Sequence, residues 1–251
     1  MTNGSADGNA DGGADGRGGG AQPVEGDSTD LTLSIRGVRT APGDIAGELK
    51  VELNTTRGVI MTHLRPCEGR TGCVIFLGGA GGGVRGPANA IYERIGEELV
   101  GAGVTSLRVE YREPGEFEES VVDALAGASF LRGIGATEAV VVGHSFGGAV
   151  AIKAAELSEL VTGVVAMSSQ RYGTQDVNEL NKPLLLIHGS RDEILDKAAS
   201  EDIFERALEP KRLEILEGAG HGLIEVESRV HDLLMDFITL AVGASPTEGL
   251  G

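Results

Sequence analysis

Short runs that are apolar at every position recur along this chain, spaced so that one helix fits between each pair, and no other feature restricts its fold as strongly. Val140-Val141-Val142 and Leu184-Leu185-Leu186-Ile187 offer no polar face at all. A strand of that kind must be covered on both sides, as in a parallel sheet held between two helical layers. Strands are predicted at 48–54, 59–65, 73–77, 105–111, 139–142, 163–167, 184–188 and 213–216, and helices at 88–100, 117–131, 146–157, 199–208 and 223–241. The alternation implies βαβ units and a doubly wound, mostly parallel α/β sheet of eight strands with helices on both faces. The first two strands are joined directly through Thr55-Thr56-Arg57-Gly58, with no helix between them, so they are expected to form an antiparallel hairpin at one edge.

Composition narrows what such a domain can do. Residues 1–30 are Gly, Asp, Asn, Ala and Ser with almost no apolar content, too little to offset the entropy of ordering, and are expected to be a disordered acidic tail. Residues 31–243 form the expected domain and 244–251 a loose end. With 38 acidic against 21 basic residues, the formal net charge is -17. A surface of that sign repels phosphate backbones and anionic lipid, so neither nucleic acid nor a membrane is expected as a partner. The basic residues are mostly Arg, a balance that suits a cytoplasm of high salt, although an acidic surface also serves plain solubility. No apolar run reaches the roughly 20 residues of a membrane span. The amino terminus has no basic-then-apolar leader pattern, so a cytoplasmic location is expected. Cys67 and Cys73 are the two cysteines, expected as free thiols, because a domain of this size has a core of its own.

In a sheet of this type ligands bind beyond the carboxyl ends of the strands. Three such ends carry reactive groups. After the strand ending at Val142 comes Gly143-His144-Ser145-Phe146-Gly147-Gly148, followed at once by a helical stretch. This is the G-x-S-x-G arrangement, in which small residues permit a sharp strand-to-helix turn that holds a serine exposed and strained. Forty glycines make the pattern cheap, and a turn serine is the bland alternative; the valines before it and the helix after it supply the specificity. After the strand ending at His188 stands Asp192, a carboxylate able to orient a histidine; it could instead cap the next helix, and Glu193 and Asp196 compete for the role. After the strand ending at Leu216 comes Glu217-Gly218-Ala219-Gly220-His221-Gly222, a glycine loop with one imidazole, which could alternatively cap the last helix. His63, His144, His188 and His231 are worse placed as bases, in a strand, beside the serine, in a strand-end turn and inside a helix. A serine hydroxyl needs such a base, and the base needs a carboxylate to fix its tautomer. Ser145, Asp192 and His221 are therefore the catalytic candidates, and an imidazole base requires a rate that falls below about pH 6 to 7.

The order Ser145, Asp192, His221 and the strand contexts around them resemble the α/β-hydrolase superfamily over about residues 45–243. The chain is most similar to the small lidless serine esterases of the dienelactone hydrolase and carboxylesterase branch. That resemblance implies an eight-stranded sheet whose second strand runs antiparallel, and hydrolysis of a small ester or thioester substrate through an acyl-enzyme, with no cofactor and no metal. Dienelactone hydrolases proper use cysteine where Ser145 stands, so their lactone substrate does not carry over. Only about 16 residues separate the strands ending at Met167 and beginning at Leu184, so no cap domain is expected.

Charge developing on a carbonyl oxygen calls for backbone N–H donors. Phe146 is one candidate. The other lies in Gly78-Gly79-Ala80-Gly81-Gly82-Gly83, where resemblance to the family's His-Gly-x motif ranks Ala80 ahead of Gly79, with Gly78 in place of the motif's histidine. Arg85, Tyr111 and Tyr172 are candidates for the mouth of the cleft. Two rival functions share these residues. Gly81-Gly82-Gly83-Val84-Arg85-Gly86 satisfies G-x-G-x-x-G, with Glu110 at the end of the next strand as a ribose-binding acid, so a dinucleotide could be held there. The fold could also be kept as a silent binding module.

Overall fold

The computed structural model describes Met1, residues 32–69 and residues 71–243. Apart from Met1, the expected tails at 1–30 and 244–251 lie outside the described residues. Within them the strands are β1 (Ile35–Pro42), β2 (Leu49–Thr55), β3 (Gly58–Arg65), β4 (Gly72–Leu77), β5 (Thr105–Val109), β6 (Glu138–His144), β7 (Val161–Met167), β8 (Leu184–Gly189) and β9 (Lys211–Leu216). They form one sheet in the order β1-β2-β3-β5-β4-β6-β7-β8-β9. From β5 onward every pairing is parallel, while β3 is antiparallel to both β2 and β5. β2 and β3 make the expected hairpin, closed by Thr55, whose hydroxyl donates to the Gly58 carbonyl at 2.6 Å and accepts from the Arg57 amide at 3.0 Å.

The sheet has nine strands rather than eight. The added strand, β1, runs antiparallel to β2 and takes the edge position expected of the hairpin. Its sequence, IRGVRTAP, is exposed at nearly every position. It is held by its ladder to β2 and not by burial, so it carries none of the apolar alternation that reveals a strand in sequence.

The helices are α1 (Pro87–Gly101), α2 (Phe117–Gly133), α3 (Phe146–Leu157), α4 (Ala198–Arg206) and α5 (Glu227–Ala241). They divide between the faces of the sheet, and the strand residues divide with them by the period-two rule. On β4, Cys73, Ile75 and Leu77 point into the core shared with α2, α3 and α4, while Val74 and Phe76 join the core under α1 and α5. β6 splits the same way, Ala139 and Val141 against Val140 and Val142. This two-sided burial explains why the central strands read as unbroken apolar runs. Cys67 and Cys73 are free thiols, and burial pushes that of Cys73 up to about 12. Among the described residues no helix is long and apolar enough to cross a membrane.

Leu186, fully buried in β8, and Val38, 44% exposed on β1, make opposite demands on stability. In urea unfolding, Leu186→Ala is expected to lose about 2–5 kcal/mol, whereas Val38→Ala should stay within about 0.5 kcal/mol. Equal losses at the two positions would contradict the assignment of β1 as an edge strand held by its backbone.

Candidate active site

β6 ends at His144 and α3 begins at Phe146, so Ser145 alone turns the chain. It does so with φ 58° and ψ −120°. A non-glycine residue held there costs on the order of 1–3 kcal/mol, which the surroundings must supply. They do so by close backbone packing. A Cβ on Gly143 would overlap the Gly147 carbonyl, and a Cβ on Gly147 would overlap the carbonyl of Gly78 in the loop after β4. The two glycines of the motif are therefore demanded by the turn itself and by the approach of the glycine loop. The Ser145 amide donates to the Met167 carbonyl at the end of β7, 2.8 Å away, and fixes the turn against the sheet.

The loops after β8 and β9 meet by the same device. A Cβ on Gly189 would strike the Ala219 carbonyl, so only glycine lets these backbones touch. The Arg191 amide donates to Ala219 at 2.9 Å, the Ser190 amide to Leu216 at 2.9 Å, and the Gly218 amide to the Ser190 hydroxyl at 2.9 Å. Across this seam His221 Nδ1 donates to Asp192 Oδ2 at 2.7 Å. That bond puts the His221 proton on Nδ1 and leaves Nε2 with a free lone pair, the form a general base needs. Asp192 Oδ1 accepts the amides of Ile194 and Leu195, both at 2.9 Å. Burial alone would raise the Asp192 pKa, but the Leu195 amide, the His221 ring and the Ile194 amide outweigh it and hold the carboxyl below its ordinary value. Of the three acids considered from sequence, Asp192 meets the imidazole. Asp196 instead accepts the Ala198 amide at 2.8 Å, ahead of α4.

The His221 backbone is held from the Ser145 side. Its carbonyl accepts from His144 Nε2 at 2.9 Å and from the Ser168 hydroxyl at 3.1 Å, and the His144 and His221 rings lie 4.8 Å apart. Since His144 immediately precedes Ser145, the imidazole loop is tied directly to the Ser145 turn. Burial pushes the His144 pKa down to about 4, with the bond to the His221 carbonyl opposing but not cancelling it. His144 thus stays neutral and its Nε2–H is spent on the clamp. Glu225 accepts the Gly220 amide at 3.2 Å on the other side of the loop. The expected last helix begins only at Glu227, because Leu223 is left-handed (φ 55°) and Ile224–Val226 form a 3-10 turn.

The glycine loop borders the serine. Gly79 is the near residue, a Cβ built on it lying 3.8 Å from that of Ser145, while Ala80 is exposed further along. At Gly78 any Cβ would overlap the Gly83 carbonyl, so a histidine of the family motif does not fit this loop as it is folded. A cleft lined by Gly78, Gly79, Gly82, Arg85 and His144 opens beside it. Arg85 points largely into solvent and pairs with Glu93 at 3.2 Å. Tyr111 is buried, its ring edge-on to Phe146 at 5.9 Å; Phe146 meets Phe117 at 6.0 Å, and Phe117 meets the exposed Tyr172 at 5.4 Å. Glu110 accepts from His63 at 2.6 Å. Among the described residues no group of His, Cys, Asp and Glu is arranged to hold a metal ion.

The sequence profile of the alpha/beta hydrolase family matches residues 88–224, more than half of the chain and a span that includes Ser145, Asp192 and His221. The chain belongs to the alpha/beta hydrolase family. Several solved structures resemble it in fold. A dienelactone hydrolase from Anabaena variabilis superposes with a TM-score of 0.67 and 21% identity, covering 78% of this chain and 98% of that one. An α/β serine hydrolase without lid from Xanthomonas campestris gives 0.65 and 19%, covering 82% and 100%. Est1E from Butyrivibrio proteoclasticus gives 0.62 and 16%, covering 74% and 95%. In sequence, alpha/beta hydrolase domain-containing protein 17B of Xenopus tropicalis is 33% identical over 63 residues, 25% of this chain and 22% of that relative's length.

Two supporting residues escape a reading of this alpha/beta hydrolase from sequence, His144 and Ser168. The first stands beside Ser145 and the second just past β7, and nothing in their spacing announces that both bond the carbonyl of residue 221. An unfolded histidine takes up its proton near pH 6.5, and folded His144 only near pH 4. Between those values the unfolded chain binds more protons, so this residue's contribution to stability is complete above about pH 6.5 and is lost as pH falls toward 4. NMR titration of the His144 ring is expected to show a midpoint near 4, and His144→Gln should flatten the stability loss in that window. A midpoint near 6.5 would contradict the buried clamp.

Proposed function

We propose that this alpha/beta hydrolase is a serine hydrolase that cleaves a carboxylic ester or thioester of a small substrate through an acyl-enzyme. Ser145 is the nucleophile, His221 the general base and then general acid, and Asp192 the carboxylate that orients it and stabilises the imidazolium. The observation that carries the reading is the 2.7 Å bond from His221 Nδ1 to Asp192 Oδ2, in a loop that His144 ties to the Ser145 turn.

The hydroxyl proton of Ser145 passes to His221 Nε2 as Oγ attacks the carbonyl carbon. The tetrahedral intermediate collapses when Nε2 returns that proton to the departing alcohol or thiol, and water then repeats both steps on the acyl-serine. The amide of Phe146, at the amino end of α3, is one donor to the developing oxyanion; the second comes from Gly79 or Ala80. Gly79 is favoured over Ala80 by its proximity to Ser145. With no cap between β7 and β8, the acyl and leaving groups meet an open rim, to which Tyr172 and Arg85 are offered, with Tyr111 supporting Phe146 from behind.

The same geometry weighs against a dinucleotide in the glycine loop. The carboxylate that would hold a ribose, Glu110, is engaged by His63, and the loop packs on the nucleophile turn at Gly78 and Gly147.

A fluorophosphonate probe tests the proposal. The protein should be labelled, and Ser145→Ala should remove the label and lower ester hydrolysis by about 10⁴-fold or more while the protein stays folded. An intact protein that never labels would favour a silent binding module.

A further inference from the structure

β8 carries a second histidine that the proposed chemistry does not use. His188 is completely buried, four residues before Asp192. Its Nε2 lies 2.9 Å from the Leu195 carbonyl and 3.1 Å from Asp192 Oδ2, and its Nδ1 lies 2.7 Å from the Ser200 hydroxyl. Both groups facing Nε2 are oxygens without hydrogen, so Nε2 carries the proton, and the Ser200 hydroxyl donates to Nδ1. Every polar atom of the ring is then satisfied, as burial requires. Asp192 Oδ2 in consequence faces two ring N–H groups, His221 Nδ1 at 2.7 Å and His188 Nε2 at 3.1 Å.

We infer that His188 is a positioning residue that acts through Asp192, fixing the carboxylate against which His221 is oriented. The inference rests on the serine hydrolase reading above. By bonding the Leu195 carbonyl, His188 holds the turn whose Ile194 and Leu195 amides grip Asp192 Oδ1. Other groups around the pair do not duplicate this. His144, from β6, is neutral and bonds the His221 carbonyl; Glu225 is spent on the Gly220 amide; Arg191 and Glu193 in the Asp192 turn are exposed.

The test compares His188→Gln, whose amide nitrogen can restore a donor near Nε2, with His188→Leu, which fills the space without one. For both and for the parent, kcat and KM are measured with a nitrophenyl ester, beside fluorophosphonate labelling. His188→Leu is expected to lose about tenfold or more in kcat with KM little changed. His188→Gln should recover most of that loss. A structural role alone would move KM and stability together with kcat and would not be rescued by Gln, and an unchanged kcat in a labelled, folded His188→Leu protein overturns the inference while leaving the hydrolase reading intact. A parent protein that does not label overturns both. Should His188→Leu not fold, ¹⁵N NMR of the histidines in Ser145→Ala decides it. The Nε2–H tautomer at His188 supports the inference, and the Nδ1–H tautomer, which would turn a lone pair toward Asp192, overturns it.

Discussion

The bond between His221 and Asp192 depends on two backbones touching. Residues 189–192 after β8 and 217–221 after β9 pack so closely that Gly189 has no room for a side chain, and three further hydrogen bonds stitch the seam. Neighbouring parallel strands bring such loops to one rim automatically, since all of them end on the same edge of the sheet. What the sheet does not supply is the last few ångströms, and glycine supplies those. The same holds at the proposed nucleophile, where Gly143, Gly147 and Gly78 allow strand, helix and loop backbones to meet around Ser145.

Three imidazoles crowd this rim, and hydrogen bonding gives each a different task. His144 spends its Nε2–H on the His221 carbonyl and is kept neutral by burial. His188 faces the acid turn and the side of Asp192. His221 donates from Nδ1 and so keeps Nε2 free to accept a proton. Its side chain is 20% accessible on the solvent side of the seam, against none for His188. A site that needs one base among several histidines gains from consuming the ring nitrogens of the others.

The central sheet was legible because two-sided burial leaves an unmistakable mark: β4, β6, β7 and β8 are apolar at almost every position. β1 was not, because an edge strand held by its backbone can have nearly any sequence. The early end of the last predicted helix failed for a related reason. Residues 223–226 are apolar enough to continue α5 by pattern, but Leu223 adopts a left-handed conformation to carry the chain away from the histidine loop. Ser145, Asp192 and His221 could be singled out as candidates because each stands just past a readable strand. Their supports, His144, Ser168 and His188, come together only through tertiary contacts that join residues 77, 53 and 7 positions apart. No local pattern encodes such contacts. Gly78 illustrates the limit of resemblance: the family's motif has a histidine there, and this loop, folded back on Gly83, has no space for one.

A nucleophilic Ser145 must become acylated during turnover. Mixing the protein with a slowly deacylated nitrophenyl ester, quenching in acid and mapping peptides by mass spectrometry tests this directly. The account predicts the mass of the acyl group on the peptide holding Ser145, at the nucleophile turn and nowhere else. Ester turnover that persists in Ser145→Ala, with no acyl mass on that peptide in the parent protein, would contradict it.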